Sequence, residues 1–148
     1  ALLSFYPEDV RLKKMAARCM QMAQAGQYNY PRSLKRGEGG AAHMAAAEFI
    51  DAALSMVFLL NRRYKPFYKW MHRAAADLPV LGREAHAALA QLAAQSAPNG
   101  TDCIEGLCAA IIAELRRQGL SDSSSSFLLD RSPSIELRIL DPALHGQG

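Results

Sequence analysis

Cationic and aromatic side chains are concentrated in residues 61–73, which read Asn-Arg-Arg-Tyr-Lys-Pro-Phe-Tyr-Lys-Trp-Met-His-Arg. This stretch holds five of the seventeen Lys and Arg residues and the only Trp of the chain. Guanidinium and ammonium groups bind phosphates, and they also pack against the faces of aromatic rings. The mixture therefore suits a ligand with negative charge and an aromatic or polar body, such as a nucleotide or a phosphorylated small molecule.

A second cluster of the same chemistry lies upstream, between Tyr28 and Arg36. Arg32 and Arg36 are four residues apart, so on a helix they share one face and can hold one anion from two sides. We expect the two clusters to converge on one concave face. The substrate- or nucleotide-binding residues predicted from them are Tyr28, Asn29, Tyr30, Arg32, Arg36, Asn61, Arg62, Tyr64, Tyr68, Lys69 and Arg73.

One carboxylate, Glu48, joins this predicted site. It lies one turn from Asp51 in a long apolar segment, where a carboxylate must be paired, solvated in a cleft or neutral. One interpretation is a structural salt bridge to a cation of a neighbouring helix. The other is a cleft in which Glu48 orients an Arg side chain or a ligand hydroxyl.

The common catalytic motifs are absent from the sequence. There is no Gly-rich phosphate loop, no Gly-x-Ser-x-Gly elbow and no Asp-x-Asp pair for magnesium. The four His residues have no metal-ligand spacing, so we predict neither a metal site nor a catalytic residue. Arg36 precedes His43, and Arg138 precedes His145, with the spacing of helical ribonucleases. This composition produces about one such match by chance.

Charge is divided unevenly along the chain. Residues 1–73 carry twelve Lys and Arg against five Asp and Glu, a net charge of +7, whereas residues 74–148 carry five against nine, a net charge of −4. The first half therefore attracts anions. Its basicity is well below that of a typical duplex-DNA binder and no recognition motif accompanies it, so no DNA partner is predicted.

Cysteine usage and hydropathy indicate a cytoplasmic protein. Cys19 and Cys108 fall on apolar helix stripes, and the odd number of three Cys fits a reducing compartment. The longest apolar run, Ala52–Leu60, is too short to span a bilayer, so no membrane association is predicted. The chain begins at Ala1 without a Met, which indicates a fragment of a longer protein.

Helical periodicity predicts an all-α fold, an antiparallel up-and-down bundle of four to five main helices with a short C-terminal helix. The first helix is expected to begin at Pro7 and to end at Gly26, with a partly looped stretch up to Gly40. Further helices are expected over residues 41–60, 66–77 and 82–95. Another helix is expected to begin at a cap, Asn99 or Thr101, and to end at Gly119. A polar loop at Ser121–Ser126 and a short helix within 127–140 follow.

The same periodicity sorts the side chains of the third predicted helix. Phe67 and Trp70 fall with the apolar positions and are expected in the core. Lys69, His72 and Arg73 fall on the other side and form a basic face. This face is either the solvated side of an ordinary helix or part of the binding site.

Three motifs carry a family resemblance. They are Pro7-Glu8-Asp9-Val10-Arg11-Leu12-Lys13-Lys14, Gly26-Gln27-Tyr28-Asn29-Tyr30 with Arg32 and Arg36, and Leu59-Leu60-Asn61-Arg62-Arg63-Tyr64 with Pro66, Tyr68, Lys69, Trp70 and Arg73. In these motifs the chain resembles the C-terminal domain of the family called domain of unknown function 4037. The similarity continues through Leu78-Pro79-Val80-Leu81 to Gly119-Leu120-Ser121-Asp122 and Phe127-Leu128.

Proteins of that family are similar to nucleotidyltransferases, with a catalytic α/β domain before a helical domain like the substrate-binding domain of kanamycin nucleotidyltransferase. The resemblance implies that residues 1–148 form a single helical domain, the C-terminal substrate-binding half of a longer protein, which is not an enzyme by itself. The preceding domain would be its partner and would hold a nucleoside triphosphate and magnesium. Five cationic side chains would close over the phosphates, namely Arg32, Arg36, Arg62, Lys69 and Arg73. Four tyrosines would contact a base or a sugar, namely Tyr28, Tyr30, Tyr64 and Tyr68.

Two other functions remain open from the sequence. The first is a stand-alone helical RNA-binding or ribonuclease-type module that uses Arg36 and His43. The second is a dimerisation or interaction module whose basic face binds an acidic partner. Ala-rich helices with smooth faces also allow a homodimer.

Overall fold

A computed structural model describes residues 5–94, 99–121, 128 and 131–140, and these residues form helices and connections with no strand. The predicted all-α fold class is confirmed, whereas the antiparallel order of the whole bundle stays a prediction. Seven α-helices are described: α1 Glu8–Met22, α2 Tyr30–Lys35, α3 Gly39–Leu60, α4 Tyr68–Ala75, α5 Gly82–Ala93, α6 Gly100–Arg117 and α7 Arg131–Glu136. A π-helical segment, Ala23–Asn29, joins α1 directly to α2.

The prediction that the first helix ends at Gly26 was wrong, because helical turns continue through the π-helical segment and α2 to Lys35. Part of residues 27–40 is a loop, as predicted, and it is confined to residues 36–38. Gly26 is buried inside the π-helical segment, and the ring of Phe49 packs against its backbone. A Cβ atom at Gly26 would lie 2.3 Å from Phe49 Cδ1. Gly26 therefore allows a close contact between two helices and does not mark a helix end. After the π-helical segment, α2 continues the helical turns to Lys35.

The rod formed by α1, the π-helical segment and α2 runs antiparallel to α3. Arg11 near the start of the rod bonds to Leu59 near the end of α3, whereas Gly26 meets Phe49 further back along α3. The second half of α3, residues 52–60, is buried on all sides. By length and composition α3 could cross a bilayer, but 67% of its apolar window lies inside the fold, as in the core helix of a soluble protein.

The remaining helices pack around this pair. Helix α4 contacts α3 and α5, α5 contacts α6, and α7 lies along α1, where Lys13 Nζ is 2.9 Å from Glu136 Oε1. Helix α6 begins after Asn99 and is followed by Gly119 in the left-handed region (φ 73°). The Leu120 amide donates to the Leu115 carbonyl over 2.8 Å, so the predicted helix cap is confirmed.

The prediction that Phe67 and Trp70 belong to the core was wrong. Phe67 is 64% exposed and Trp70 is 49% exposed. The helix begins at Tyr68, two residues later than Pro66, because Phe67 has extended backbone (ψ 143°), so helical spacing does not apply to it. Helix α4 buries only Met71 and Ala75, and Trp70 points about 100° away from Met71 around the helix.

The core contains Cys19 and Cys108, as predicted, and Cys103 is half-buried. All three are free thiols. Burial raises the pKa of the Cys108 thiol far above its usual range, so this group stays neutral. The predicted loop at Ser121–Ser126 lies outside the described residues apart from Ser121, and His145 also lies outside them.

Candidate anion-binding site

The upstream cluster of predicted site residues separates into exposed and buried members. Tyr28 and Arg32 are exposed, and Arg32 bonds to the Tyr28 hydroxyl with its guanidinium 5.2 Å from the ring centroid. Asn29 and Arg36 are exposed as well. Tyr30 is buried against Gly100, and burial raises the pKa of its hydroxyl. Tyr30 therefore packs α2 onto α6 and does not face solvent.

At the downstream cluster, two predicted residues make structural contacts. Asn61 directly follows α3. Its side-chain nitrogen donates to the Val80 carbonyl over 2.8 Å, and its side-chain oxygen accepts from the Val80 backbone amide over 2.7 Å. Arg62 lies 3.3 Å from a Glu8 carboxylate oxygen. Asn61 thus holds the connection before α5, and Arg62 already has an acidic partner.

The other predicted residues lie on the surface of the downstream segment. Tyr64 packs against Phe5 and Tyr6, with ring centroids 5.0 and 4.8 Å apart. Tyr68 is exposed next to Phe67. Lys69 and Arg73 each lie 5.6 Å from the Trp70 ring centroid.

Glu48 is also exposed, since it projects from the solvent side of α3. No salt bridge of Glu48 or Asp51 occurs among the described residues.

Arg32 and Arg36 lie near one end of α3, and Asn61 and Arg62 lie at the other. Arg36 comes three residues before Gly39, the first residue of this helix, and Asn61 directly follows its last. A helix of 22 residues is about 33 Å long. The structure therefore does not bring Arg32 and Arg36 together with Asn61 and Arg62.

A pocket that the sequence did not indicate lies between α1, α3 and the segment after α3. We call it the basic pocket. Its volume is about 40 Å³, and its walls are formed by Tyr6, Lys14, Arg18, Ser55, Phe58, Leu59, Arg63 and Lys65. Four of these eight residues are cationic, and none is an Asp or a Glu.

Local structure explains how the basic pocket is assembled. Lys14 and Arg18 are four residues apart on α1, so they project from one face. Arg62 has left-handed backbone (φ 53°), which turns the chain back after α3, and the Arg63 amide donates to the Phe58 carbonyl over 3.0 Å. The reversal brings Lys65 next to Ser55, with 3.1 Å between Nζ and the hydroxyl oxygen.

The cations of the basic pocket contact neutral groups. Lys65 donates to the buried Ser55 hydroxyl, Lys14 lies 4.8 Å from the centroid of the Tyr6 ring, and Arg18 bonds to Gln21. Concentrated positive charge with neutral neighbours creates a positive potential that favours an anion. The Ser55 hydroxyl accepts from Lys65 and keeps its own proton for a ligand oxygen.

A neighbouring cavity shows the opposite arrangement. It has a volume of about 470 Å³ and contains three arginines, all of which have carboxylate partners. Arg11 lies 2.8 Å and Arg62 3.3 Å from Glu8, and Arg117 Nε donates to Glu114 over 2.9 Å. Two carboxylates offset two of these three positive charges, whereas no carboxylate lines the basic pocket, so the basic pocket is the stronger candidate for an anion.

The ribonuclease-type arrangement finds little support in the geometry. His43 is exposed on α3 and lines a cavity of about 130 Å³ with Tyr30, Leu34 and five small or apolar residues. No Lys, Arg, Asp or Glu lines this cavity. Within the part of the chain that the structure describes, no group of three or more His, Cys, Asp or Glu is placed to hold a metal ion.

The sequence contained one signal for the basic pocket, the spacing of Lys14 and Arg18. On an amphipathic helix this pair is typical of a solvated face. Its proximity to Lys65 depends on the chain reversal at Arg62, a non-Gly residue in a conformation that sequence patterns rarely reveal.

The family model described as "Domain of unknown function (DUF4037)" matches residues 1–71 of this chain. The match supports the family resemblance and covers every residue that lines the basic pocket. No curated protein and no solved structure matches the chain.

Proposed function

We propose that this helical domain binds a phosphorylated small molecule, such as a nucleotide, in the basic pocket. In a longer nucleotidyltransferase-like protein it would be the substrate-binding domain. The observation that carries the proposal is the pocket lining, in which Lys14, Arg18, Arg63 and Lys65 converge without a carboxylate. The resemblance of the chain to the helical half of such proteins supports the wider role of a substrate-binding domain.

The lining suits phosphate oxygens in type and number. Arg18 and Arg63 can each bind two oxygens with a planar guanidinium, and Lys14 and Lys65 add mobile ammonium charges. A pocket of about 40 Å³ has room for only a few water-sized groups, roughly 10–15 Å³ being needed for each, so a whole nucleotide does not fit inside it. It therefore suits the phosphate end of a ligand whose remaining part extends toward solvent.

The part played by this chain in a transfer reaction would be positional. In the proposed role, a preceding catalytic domain would hold the nucleoside triphosphate and magnesium. The basic pocket would bind the acceptor or the phosphates and fix their orientation. Such positioning lowers the entropic part of a reaction barrier without any bond being made by this domain.

Isothermal titration calorimetry tests the binding. ATP, ADP and inorganic pyrophosphate are titrated into the protein and into Arg18→Ala and Arg63→Ala variants. We expect binding by the unaltered protein and a loss of roughly 5- to 100-fold in affinity for each variant, because a hydrogen bond to a charged group is removed.

Arg36→Ala serves as the matched control. Arg36 is an exposed arginine at the other end of α3, so its removal lowers the net charge equally without altering the pocket. Affinity in this variant should stay within twofold. Equal losses for Arg36→Ala and Arg18→Ala, or no heat of binding at millimolar ligand, would refute the proposal.

A further inference from the structure

Three neighbouring aromatic side chains around the start of α4 are exposed to solvent. Phe67 is 64%, Tyr68 is 72% and Trp70 is 49% exposed, and the basic side chains of Lys69 and Arg73 lie among them. We call these five residues the α4 strip. An exposed cluster of large rings is costly for a protein to maintain in water and marks an interaction surface.

The charge of the α4 strip limits the kind of partner. Lys69 and Arg73 each lie 5.6 Å from the Trp70 ring centroid, and no Asp or Glu occurs in residues 52–76. A purely apolar partner would cover two cations that have no acidic counterpart there, which is unfavourable. The complementary partner carries negative charge and flat apolar surfaces in alternation.

Single-stranded nucleic acid has this alternation. Its bases stack on aromatic rings, and its phosphates bind lysine and arginine between the stacked bases. A duplex does not fit, because its bases are already stacked on one another. We propose that the α4 strip binds a single-stranded nucleic acid, with bases on Phe67, Tyr68 and Trp70 and phosphates on Lys69 and Arg73.

The dimensions of the strip agree with a short contact. Tyr68–Ala75 is a helix of eight residues, about 12 Å long, and Phe67 extends it by one residue. Two to three nucleotides can lie along this length. The proposal depends on residues of the strip alone and is independent of the ligand of the basic pocket.

The single Trp of the chain makes the test direct, since it lies in the strip. Decamers of uridylate and of thymidylate are titrated while the fluorescence of Trp70 is followed. Stacking should quench the emission, whereas a ten-base-pair DNA duplex and inorganic polyphosphate should leave it nearly unchanged. With two phosphates bound, a plot of the logarithm of the binding constant against the logarithm of the salt concentration should have a slope of about −1.4.

Three variants locate the contact. Tyr68→Ala should weaken binding by roughly 5- to 100-fold, the loss that removal of one stacking ring produces. Tyr28→Ala removes another exposed tyrosine that also lies beside an arginine, and Arg18→Ala alters the basic pocket. Both should leave the affinity for the decamers within twofold. Tyr68 and Tyr28 are exposed and Arg18 is half-buried, and circular dichroism checks that the fold persists in each variant.

Several results would overturn the proposal. One is an unchanged Trp70 emission at millimolar nucleotide concentration. Another is equal binding of duplex and single strands, which would indicate charge attraction alone. A third is self-association in sedimentation experiments that Tyr68→Ala abolishes, because the strip would then be a protein interface. A failure of ATP binding with normal decamer binding would affect only the function proposed for the basic pocket.

Discussion

Arg11 Nε lies 2.9 Å from the Leu59 carbonyl oxygen, so a buried guanidinium on α1 bonds to the C-terminal end of α3. Its other two nitrogens donate to Glu8 and to Gln118, each over 2.8 Å. One side chain thereby joins α1, α3 and the end of α6. Burial lowers the pKa of Arg11, and the neighbouring Glu8 opposes that shift.

Arg11→Met should destabilise the fold by about 2–4 kcal/mol, because it removes three hydrogen bonds and leaves the Gln118 side-chain oxygen without this donor. Urea unfolding followed by circular dichroism measures the loss. Arg116→Met, at an exposed position of α6, should stay within about 0.5 kcal/mol of the unaltered protein. A similar small change in Arg11→Met would show that the buried cation contributes little.

Two glycine substitutions should have opposite effects. Gly26→Ala places a Cβ atom 2.3 Å from Phe49 Cδ1, and overpacking of this kind costs about 1–3 kcal/mol. Gly106→Ala has open space around it in the middle of α6 and should stabilise by roughly 0.5–1 kcal/mol through helix propensity. Thermal unfolding of both variants checks the difference. A Tm increase in Gly26→Ala would contradict the close contact.

Glu114 should make stability depend on pH. The hydrogen bond from Arg117, helped by one from Gln118, lowers the pKa of this carboxyl below its ordinary value, although burial opposes the shift. Since the folded pKa is the lower one, the stabilisation is fully present above the unfolded value, about 4.3, and is lost as pH falls through the folded value. Glu114→Gln should therefore lose more stability at pH 7 than at pH 3. Equal losses in urea unfolding at both pH values would contradict this linkage.

The three thiols should differ in reactivity. Cys103 is half-buried, whereas Cys19 and Cys108 are buried and burial raises the pKa of Cys108. A thiol reacts as its thiolate, so a chromogenic disulfide reagent should label Cys103 first and the other two only on unfolding. Cys103→Ser should abolish the fast phase. Two or more thiols reacting at once in the folded protein would disagree with the described core.

Local patterns in the sequence located most of the helices, and long-range contacts decided where the predictions failed. The cap at Gly119 and the buried Cys108 follow from short-range spacing, so they could be predicted. Gly26 has the composition of a helix end, but its role depends on Phe49, which is 23 residues away. No pattern around Gly26 reveals that contact.

The candidate site was harder to predict than the fold for the same reason. Residue type alone singled out Asn61 and Arg62, whose side chains are bonded within the protein to Val80 and Glu8. Lys14 and Lys65 come together only because the chain reverses at the end of α3. Charge clustering along the sequence therefore located a basic region without resolving which cations lack acidic neighbours.

The contact between Phe5 and Tyr64 determines where the chain enters the fold. Tyr6 packs on the same ring and lines the basic pocket, so any domain joined through residues 1–4 would be tethered within about 14 Å of this entry point. A tether this short gives an effective concentration in the millimolar range. A ligand held by such a domain would therefore reach the basic pocket at that effective concentration.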